Sequence, residues 1–290
     1  MIIVKLKGGL GNQIFQYAMG LNLSIEKGSR FVLDLSKFDT DVRSFKLGYF
    51  DLDCTIITSF KVKILGSKPV KLIADLFNWN IYHVTIKDPV WSLINFSNFE
   101  FENLILDGYW SYNIYFQNTR KFLSNRLRLK STFFNSEYNK LRKEIESVNS
   151  VAIHIRRGDY IEDQKNSDFF GIIPIDYYSN SANIIKERIE NPLFFIFSDD
   201  PHWIENIFPK CENQIIVSSF ILIEDIHEFD LMRRCKHHII ANSTFSWWAA
   251  YLNDHENGVV IMPKLWYKSG FAQNVYNSKE FLNIDGAIRV

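Results

Sequence analysis

The 290-residue sequence has no net charge, few cysteines and no long apolar run. Its 33 basic residues are balanced by 33 acidic residues, so no long-range field would gather nucleic acid or an anionic membrane. The three cysteines, Cys54, Cys211 and Cys235, are far apart, which argues against a disulfide framework and a zinc site. No segment reaches the roughly 18 apolar residues of a membrane span. We therefore expect a cytoplasmic protein with no transmembrane segment and no nucleic-acid partner.

The opening residues predict a βαβ unit. Residues 2–6 have the pattern of a buried strand, residues 12–27 place apolar side chains at helical spacing, Gly28 ends that helix, and residues 30–35 form a second strand. Such a unit is the building block of a parallel sheet covered by helices. Residues 36–105 mix short apolar runs with polar residues, and no clear element is predicted there.

A second and more regular series of elements follows residue 150. The polar pair Asn149-Ser150 comes after an amphipathic helix and marks the predicted boundary between an N-terminal domain, residues 1–150, and a C-terminal domain, residues 151–290. The elements predicted beyond it are, in order, strand 151–156, helix 176–190, strand 193–197, strand 215–217, helix 225–235, strand 238–241, helix 245–252 and strand 259–262. We therefore expect an α/β protein with two Rossmann-like domains facing across a cleft.

The most informative segment ends the first strand of the C-terminal domain. Strand alternation places His154 and Arg156 on one face, and Arg157 and Gly158 begin the following turn. Ligands of open parallel sheets collect at the carboxyl ends of strands, where neighbouring guanidinium groups can grip a diphosphate. An Arg–Asp salt bridge is the alternative. We favour the anion site because burying two guanidinium groups without a ligand is costly.

Two further strand ends carry polar residues. Asp199 and Asp200 follow a hydrophobic strand and would bind ribose or base, although an aspartate before a proline also caps a helix. Another strand runs into a helix whose first residues are Asn242, Ser243, Thr244, Phe245 and Ser246. Free N–H groups and hydroxyls at a helix start form an anion site, whereas an ordinary N-cap needs one such residue.

Other motifs have structural explanations. Asp230 lies three residues before Arg233, the spacing of a helical ion pair. Four residues near the motifs are expected in the core: His237, His238, Trp247 and Trp248. The glycine turn at residues 8–11, with Asp34 about 20 residues beyond, is typical of dinucleotide-binding folds, but Ile14 replaces the third glycine. The alternative functions are therefore an NAD-dependent oxidoreductase and, from the 16% aromatic content, a non-enzymatic carbohydrate-binding protein.

Taken together, these segments resemble the bacterial α-1,2-fucosyltransferases of glycosyltransferase family 11. The resemblance is carried by residues 8–13 (Gly-Gly-Leu-Gly-Asn-Gln), 108–116, 154–160 (His-Ile-Arg-Arg-Gly-Asp-Tyr), 198–200 and 242–248. It implies a GT-B fold, GDP-β-L-fucose as co-substrate, inversion to an α-linkage on the 2-hydroxyl of a galactose, and no cofactor or metal. The acceptor would be a galactose-terminated glycan, free or lipid-linked, in O-antigen or oligosaccharide biosynthesis. The enzyme would lie in the cytoplasm, free or peripheral at the inner membrane.

The resemblance also assigns residues to roles. Arg156 and Arg157 would contact the pyrophosphate and fucose, with His154 and Asp199 near the nucleotide. Asp200 and Asp230 would contact guanosine. The phosphates would meet the helix start, at residues Asn242, Ser243, Thr244, Phe245 and Ser246.

The acceptor side and the catalytic base are assigned in the same way. Asn12 and Gln13 would face the donor sugar and the acceptor. The candidate bases are Asp159 and Glu162, and Asp159 is preferred because the turn fixes it beside the arginines, including the catalytic Arg157. Acceptor choice is expected to lie in residues 36–120, where the rings of Trp91, Tyr109 and Trp110 either stack on sugar or belong to the core.

Overall fold

A computed structural model describes most of the chain. The described residues are 1–38, 43–52, 54–57, 81–85, 93–98, 100–101, 103–158, 161, 164–208, 213–268, 270–277 and 281–290. They form two compact units, Met1–Leu127 and Arg128–Val290. The division lies before the boundary predicted near residue 150. The reason is that the helix Ser136–Ser147, predicted to end the first domain, buries Tyr138 and Ile145 against elements of the second unit.

In the described part of the first unit, five parallel strands form one sheet. The strands are β1 (Ile2–Lys5), β2 (Phe31–Asp34), β3 (Thr55–Ile57), β4 (Ile81–Thr85) and β5 (Asn103–Asp107), in the spatial order β3-β2-β1-β5-β4. The helices are α1 (Leu10–Lys27) and α2 (Arg120–Arg126). The predicted βαβ unit is confirmed, and Gly28 ends α1 with a left-handed φ of 58°. Strands β3, β4 and β5 arise from the segment without a clear sequence pattern.

The described part of the second unit contains six parallel strands in a second sheet. They are β6 (Asn149–Ile155), β7 (Pro192–Ser198), β8 (Gln214–Ile216), β9 (His237–Ile239), β10 (Val260–Met262) and β11 (Ile288–Arg289), in the order β11-β10-β9-β6-β7-β8. The helices are α3 (Ser136–Ser147), α4 (Gln164–Phe170), α5 (Ile175–Arg188), α6 (Pro201–Ile207), α7 (Asp225–Arg234), α8 (Thr244–Tyr251) and α9 (Phe271–Tyr276). The elements predicted for this half are confirmed, with ends shifted by a few residues.

The second sheet brings three of the sequence motifs to one edge. Strands β9, β6 and β7 are neighbours, and the register pairs Ile153 with Ile239 and Ile155 with Ser198. These strands are almost completely buried, and β6 and β7 are largely apolar, as expected for strands of a parallel sheet that is covered on both faces. Because all three run in the same direction, the polar residues that follow them emerge side by side at the carboxyl edge of the sheet.

The predicted structural residues lie in the core of the second unit. Trp247 and Trp248 are fully buried, and the indole N–H of Trp247 donates to Leu282 O at 2.9 Å. The histidine pair is buried as well, with His238 Nε2 2.9 Å from Met232 O. None of the helices in the described ranges combines the length and the apolar character that a bilayer crossing requires.

Candidate active site

The turn that follows β6 is built around one aspartate of the neighbouring strand end. We call residues Arg156-Arg157-Gly158 the arginine turn. Arg156 Nη1 lies 3.0 Å from Asp199 Oδ2, and the backbone N–H of Arg157 donates to Asp199 Oδ1 at 2.8 Å. A Cβ atom on Gly158 would lie 2.9 Å from Asp199 Oδ2, so a larger residue there would require this carboxylate to shift. Asp199 therefore fixes the turn, and the salt bridge offered as an alternative is present for Arg156.

Arg157 has a different set of contacts. Its Cζ atom lies 3.8 Å from the centroid of the Trp203 ring, within the range of a cation–π contact. Its Nε lies 3.9 Å from Asp200 Oδ2, which is too long for a hydrogen bond. Among the residues that the structure describes, this buried Nε has no hydrogen-bond partner. The guanidinium of Arg157 is thus held by a ring face and by electrostatic attraction.

Asp200 performs the capping role that its position before a proline predicts. Its Oδ1 accepts the backbone N–H of Trp203 at 3.0 Å, and Pro201 is the first residue of α6. Its other oxygen faces Arg157, as described above. The carboxylate of Asp200 therefore links the start of α6 to the arginine turn.

His154 connects the arginine turn to the start of α8. Its ring centroid lies 5.6 Å from that of Phe245, and its side chain is almost fully buried. Burial, and next the charge of Arg156, lowers the pKa of His154 to about 3, so the imidazole is neutral at physiological pH. Its Nδ1 has no hydrogen-bond partner within the described ranges. A buried nitrogen of this kind is usually satisfied by water or by a ligand.

The start of α8 follows β9, the other neighbour of β6. Ser243 is the N-cap residue, and its side chain makes no capping hydrogen bond. Thr244 and Phe245 form the first turn and are half-buried. The positive end of the helix dipole and the hydroxyl-bearing side chains therefore lie at the same sheet edge as the arginine turn.

Asp230 is occupied by the fold. It is 1% exposed, and its carboxylate accepts the Tyr138 hydroxyl and Arg234 Nε, each at 2.6 Å. The carboxylate of Asp230 is therefore bound by other residues of the chain, and this geometry does not favour the predicted guanosine contact. Its ion pair is with Arg234, one residue beyond the predicted Arg233, because positions four apart meet on a helix as readily as positions three apart.

Three other predicted ligand residues are also used by the chain itself. The Gln13 amide donates to Gly8 O at 2.8 Å and Ser44 O at 2.9 Å, and its oxygen accepts the N–H of Lys46. Asn242 Nδ2 lies 3.1 to 3.2 Å from backbone carbonyls of residues 170, 171 and 266. The buried Ser246 hydroxyl donates to Ser243 O at 3.3 Å. These three side chains form hydrogen bonds within the chain, whereas Asn12 is half-buried at the start of α1.

Asp159, Glu162 and Trp91 lie outside the described residues. Tyr109 is half-buried, with Lys7 Nζ 4.8 Å from its ring centroid. Trp110 is fully buried against the rings of Phe96 and Tyr115, which fits the core alternative.

Two residues at the carboxyl edge of the second sheet were not singled out in the sequence. Trp203 contacts Arg157 through its ring. This contact can be predicted only when α6 is known to begin at Pro201. Glu228 is the other: burial, and then the charges of Asp225 and Asp199, raise the pKa of Glu228 to about 7 against the opposing hydrogen bond from Ser218. A glutamate in the first turn of a helix is common and carries no distinguishing signal.

The carboxyl edge of the first sheet carries its own charged group, which we call the lysine cluster: Lys7, Lys37 and Asp107. Lys37 Nζ lies 2.8 Å from both oxygens of Asp107, and Lys7 Nζ lies 3.3 Å from one of them. Burial alone would raise the pKa of Asp107, but the hydrogen bond from Lys37 and the charge of Lys7 outweigh it and lower the pKa. Asp107 is therefore ionised and paired with two cations.

Comparison with known proteins decides the family. A family model described as glycosyl transferase family 11 matches residues 1–284. The chain belongs to this family. Two relatives from Escherichia coli extend over nearly all of the family 11 chain. An alpha-1,2-colitosyltransferase is 34% identical over 289 residues, 92% of this chain and 93% of that protein, and the O-antigen biosynthesis glycosyltransferase WbnK is 31% identical, covering 98% and 99%.

A solved structure supports the fold of the family 11 chain. The NodZ alpha-1,6-fucosyltransferase, soaked with GDP-fucose, superposes with a TM-score of 0.55 over 87% of this chain and 91% of NodZ, at 13% identity. Together with the two parallel sheets, this likeness shows a GT-B-like α/β fold. The family resemblance expected from the sequence motifs is confirmed, and the chain is a glycosyltransferase.

Proposed function

We propose that this family 11 enzyme transfers L-fucose from GDP-β-L-fucose to the 2-hydroxyl of a terminal galactose, with inversion and without a metal ion. The observation that carries the proposal is the meeting of the arginine turn and the start of α8 on adjacent strands of one sheet. Both are suited to phosphate oxygens. The enzyme would act in O-antigen or oligosaccharide biosynthesis, on a free or lipid-linked glycan.

The departing GDP is where charge develops in this reaction. As the bond to the anomeric carbon breaks, the β-phosphate takes on negative charge while the sugar acquires oxocarbenium character. Arg157, with its Nε free of hydrogen bonds to the described residues, and the N–H groups of α8 would stabilise that charge without reorganising. Neutral His154 would donate one further hydrogen bond. These groups do the work that a divalent ion does in other transferases.

The acceptor hydroxyl must lose a proton as it attacks. Asp159 is our preferred base and Glu162 the second choice, because both follow the arginine turn in sequence. We assign donor binding to the second unit and acceptor contacts, including Asn12, to the first. We retain Asp199 and Asp200 as residues that fix the arginines and leave Asp230 out of the donor site, because its carboxylate is already paired.

A second candidate function is transfer of colitose, the sugar that lacks the 3-hydroxyl of fucose. It is favoured by the 34% identity to the alpha-1,2-colitosyltransferase over most of both chains. The linkage named for that relative is the same as the one proposed here. The two candidates therefore differ only in whether a group near the sugar's 3-position tolerates a hydroxyl.

The deciding experiment incubates the enzyme with GDP-fucose, GDP-colitose and GDP-mannose, each with a panel of galactosides, and detects products by mass spectrometry. Transfer from GDP-fucose to a galactoside, and none to its matched 2-deoxygalactoside, is expected. Faster transfer from GDP-colitose would favour the second candidate. Transfer from GDP-mannose alone, or transfer to the 2-deoxy acceptor, contradicts the proposal.

Binding experiments separate this function from the alternatives. GDP should raise the melting temperature by mass action, whereas NAD and free sugar should not. A response to NAD would favour the oxidoreductase, and a response to free sugar alone would favour a carbohydrate-binding protein.

A further inference from the structure

Arg157 of the arginine turn lies over the ring of Trp203. Arg157 Cζ lies 3.8 Å from the ring centroid, which corresponds to a cation directly over the aromatic face. The ring is itself supported by the core. Trp203 packs against the hydrophobic core of the second unit, and its ring centroid lies 6.2 Å from that of Phe208. The surface beneath the guanidinium is therefore fixed.

The stacking contact leaves N–H groups of the Arg157 guanidinium available for a ligand. Arg156 forms an ion pair with Asp199, with Nη1 of Arg156 3.0 Å from Oδ2 of Asp199. Arg157 is only 19% exposed in its side chain, and Nε makes no hydrogen bond to any residue that the structure describes. A guanidinium held by its face keeps its N–H edge for a phosphate, whereas one held by a carboxylate does not.

The start of α6 connects the ring to the same site. Asp200 accepts the backbone N–H of Trp203 at 3.0 Å, and the second oxygen of Asp200 lies 3.9 Å from Arg157 Nε. One carboxylate therefore fixes the helix start that carries the ring and attracts the arginine toward it. The position of the guanidinium over Trp203 is set from two sides.

We propose that Trp203 is a positioning residue for the transfer reaction: its ring presets the guanidinium of Arg157 to receive the diphosphate of the nucleotide sugar. Trp203 acts through Arg157 and contributes to phosphate affinity. The inference rests on the proposed function, since it requires that Arg157 binds the diphosphate.

The test is a double-mutant cycle on ligand binding. Dissociation constants for GDP and for guanosine are measured by titration for the wild type, Trp203→Leu, Arg157→Ala and the double variant. Trp203→Leu should weaken GDP binding roughly tenfold, the equivalent of one partly buried cation–π contact, and leave guanosine binding unchanged. In the Arg157→Ala background, Trp203→Leu should have no further effect on GDP binding.

Three variants separate positioning from packing. Trp203→Phe keeps an aromatic face and should restore GDP affinity to within about threefold of the wild type. Trp203→Met fills the space without a π face. If the leucine variant folds poorly, the methionine variant replaces it and should show the same roughly tenfold loss of GDP affinity. Phe208→Leu removes a ring that packs near Trp203 and should leave the ratio of GDP to guanosine affinity unchanged, although it lowers the melting temperature.

The outcomes distinguish the inference from the function on which it rests. If Arg157→Ala leaves GDP affinity unchanged, the proposed function fails and the inference fails with it. If Arg157→Ala weakens GDP binding but the non-aromatic Trp203 variants do not, the inference alone is overturned. An equal loss of GDP and guanosine affinity in Trp203→Met, or a full effect in the Arg157→Ala background, overturns it as well.

Discussion

The carboxyl edges of the two sheets collect charged side chains in different ways. At the first edge, the lysine cluster directs two ammonium groups at the single carboxylate of Asp107, which is buried and ionised. At the second edge, the arginine turn spreads two guanidinium groups over Asp199, Asp200 and the face of Trp203. Both edges occupy the position where parallel sheets bind ligands.

The difference lies in which polar atoms the chain has already used. The carboxylate of Asp107 and the amide of Gln13 are fully engaged at the first edge. At the second edge, His154 Nδ1 and Arg157 Nε are buried, and no residue in the described part of the chain bonds to them. Because these two unused atoms belong to the arginine turn and to β6 beside it, we place the ligand site at the second edge.

The largest effect is expected at the arginine turn. Arg157→Ala should lower kcat roughly a hundredfold or more, because a charged donor aimed at the leaving group is lost. Initial rates with GDP-fucose, in a variant whose circular dichroism spectrum is unchanged, measure this effect.

Arg142 provides a matched control for that substitution. It also lies over an aromatic ring in the second unit, with its Cζ 5.7 Å from the Phe134 centroid, and it pairs with Glu146 on α3. Arg142→Ala should leave kcat within about twofold of the wild type, since an exposed pair contributes little. Equal losses in both variants would mean that loss of an arginine, and not its position at the edge, lowers the rate.

At the second edge, Glu228 is expected to make the free energy of unfolding depend on pH. Burial raises the pKa of Glu228 to about 7 in the folded state, so the folded protein binds the proton more tightly than the unfolded chain. Stability is therefore lost as the pH rises from about 4.5 to 7. Glu228→Gln cannot ionise, and at pH 8 it should be more stable than the wild type by about 2 kcal/mol.

Urea unfolding at several pH values measures that difference. The advantage of Glu228→Gln should shrink on going from pH 8 to pH 5, where the wild-type carboxyl is protonated. A constant difference at all pH values would contradict the assignment of the raised pKa to Glu228.

A smaller effect of opposite sign is expected at the first edge. The pKa of Asp107 is lowered, so its ion pairs stabilise the fold at neutral pH and are lost as the pH falls through the folded pKa. Asp107→Asn should reduce the free energy of unfolding by about 1 kcal/mol at pH 7 and leave KM for GDP-fucose unchanged. A large increase in that KM would place the donor at the lysine cluster and reverse the comparison.

The smallest expected effect is that of a chelator. The charge on the departing GDP is met by arginines and helix N–H groups in our account, so EDTA should leave the initial rate unchanged. Loss of activity on dialysis against EDTA, with recovery on adding Mg²⁺ or Mn²⁺, would contradict the metal-independent mechanism.

The sequence predicted the second unit better than the first for a physical reason. Strands β6 and β7 are buried and mainly apolar; β6 is followed by the arginine turn, and β7 is followed by Asp199 and Asp200. Strand β3 has three half-exposed or exposed residues, and its place depends on pairing with β2, which local pattern does not contain. A short strand at the edge of a sheet is specified mainly by its partner.

The same distinction applies to the site. That the arginine turn and the start of α8 lie at one edge could be predicted, because the carboxyl ends of adjacent parallel strands meet. The pairing of Asp230 with Tyr138 could not, since the two residues are 92 positions apart in the chain. The support of Arg157 by Trp203 depends on where α6 begins, and the sequence left open whether Asp200 caps a helix or binds a ligand.

The most direct measurement is a crystal structure of the enzyme with GDP. We expect oxygens of the β-phosphate to lie within about 3 Å of both the Arg157 guanidinium and a hydroxyl or N–H group at Ser243 or Thr244. A complex in which the diphosphate binds at the glycine turn before α1, or in which Arg157 and Thr244 face different ligands, would contradict it.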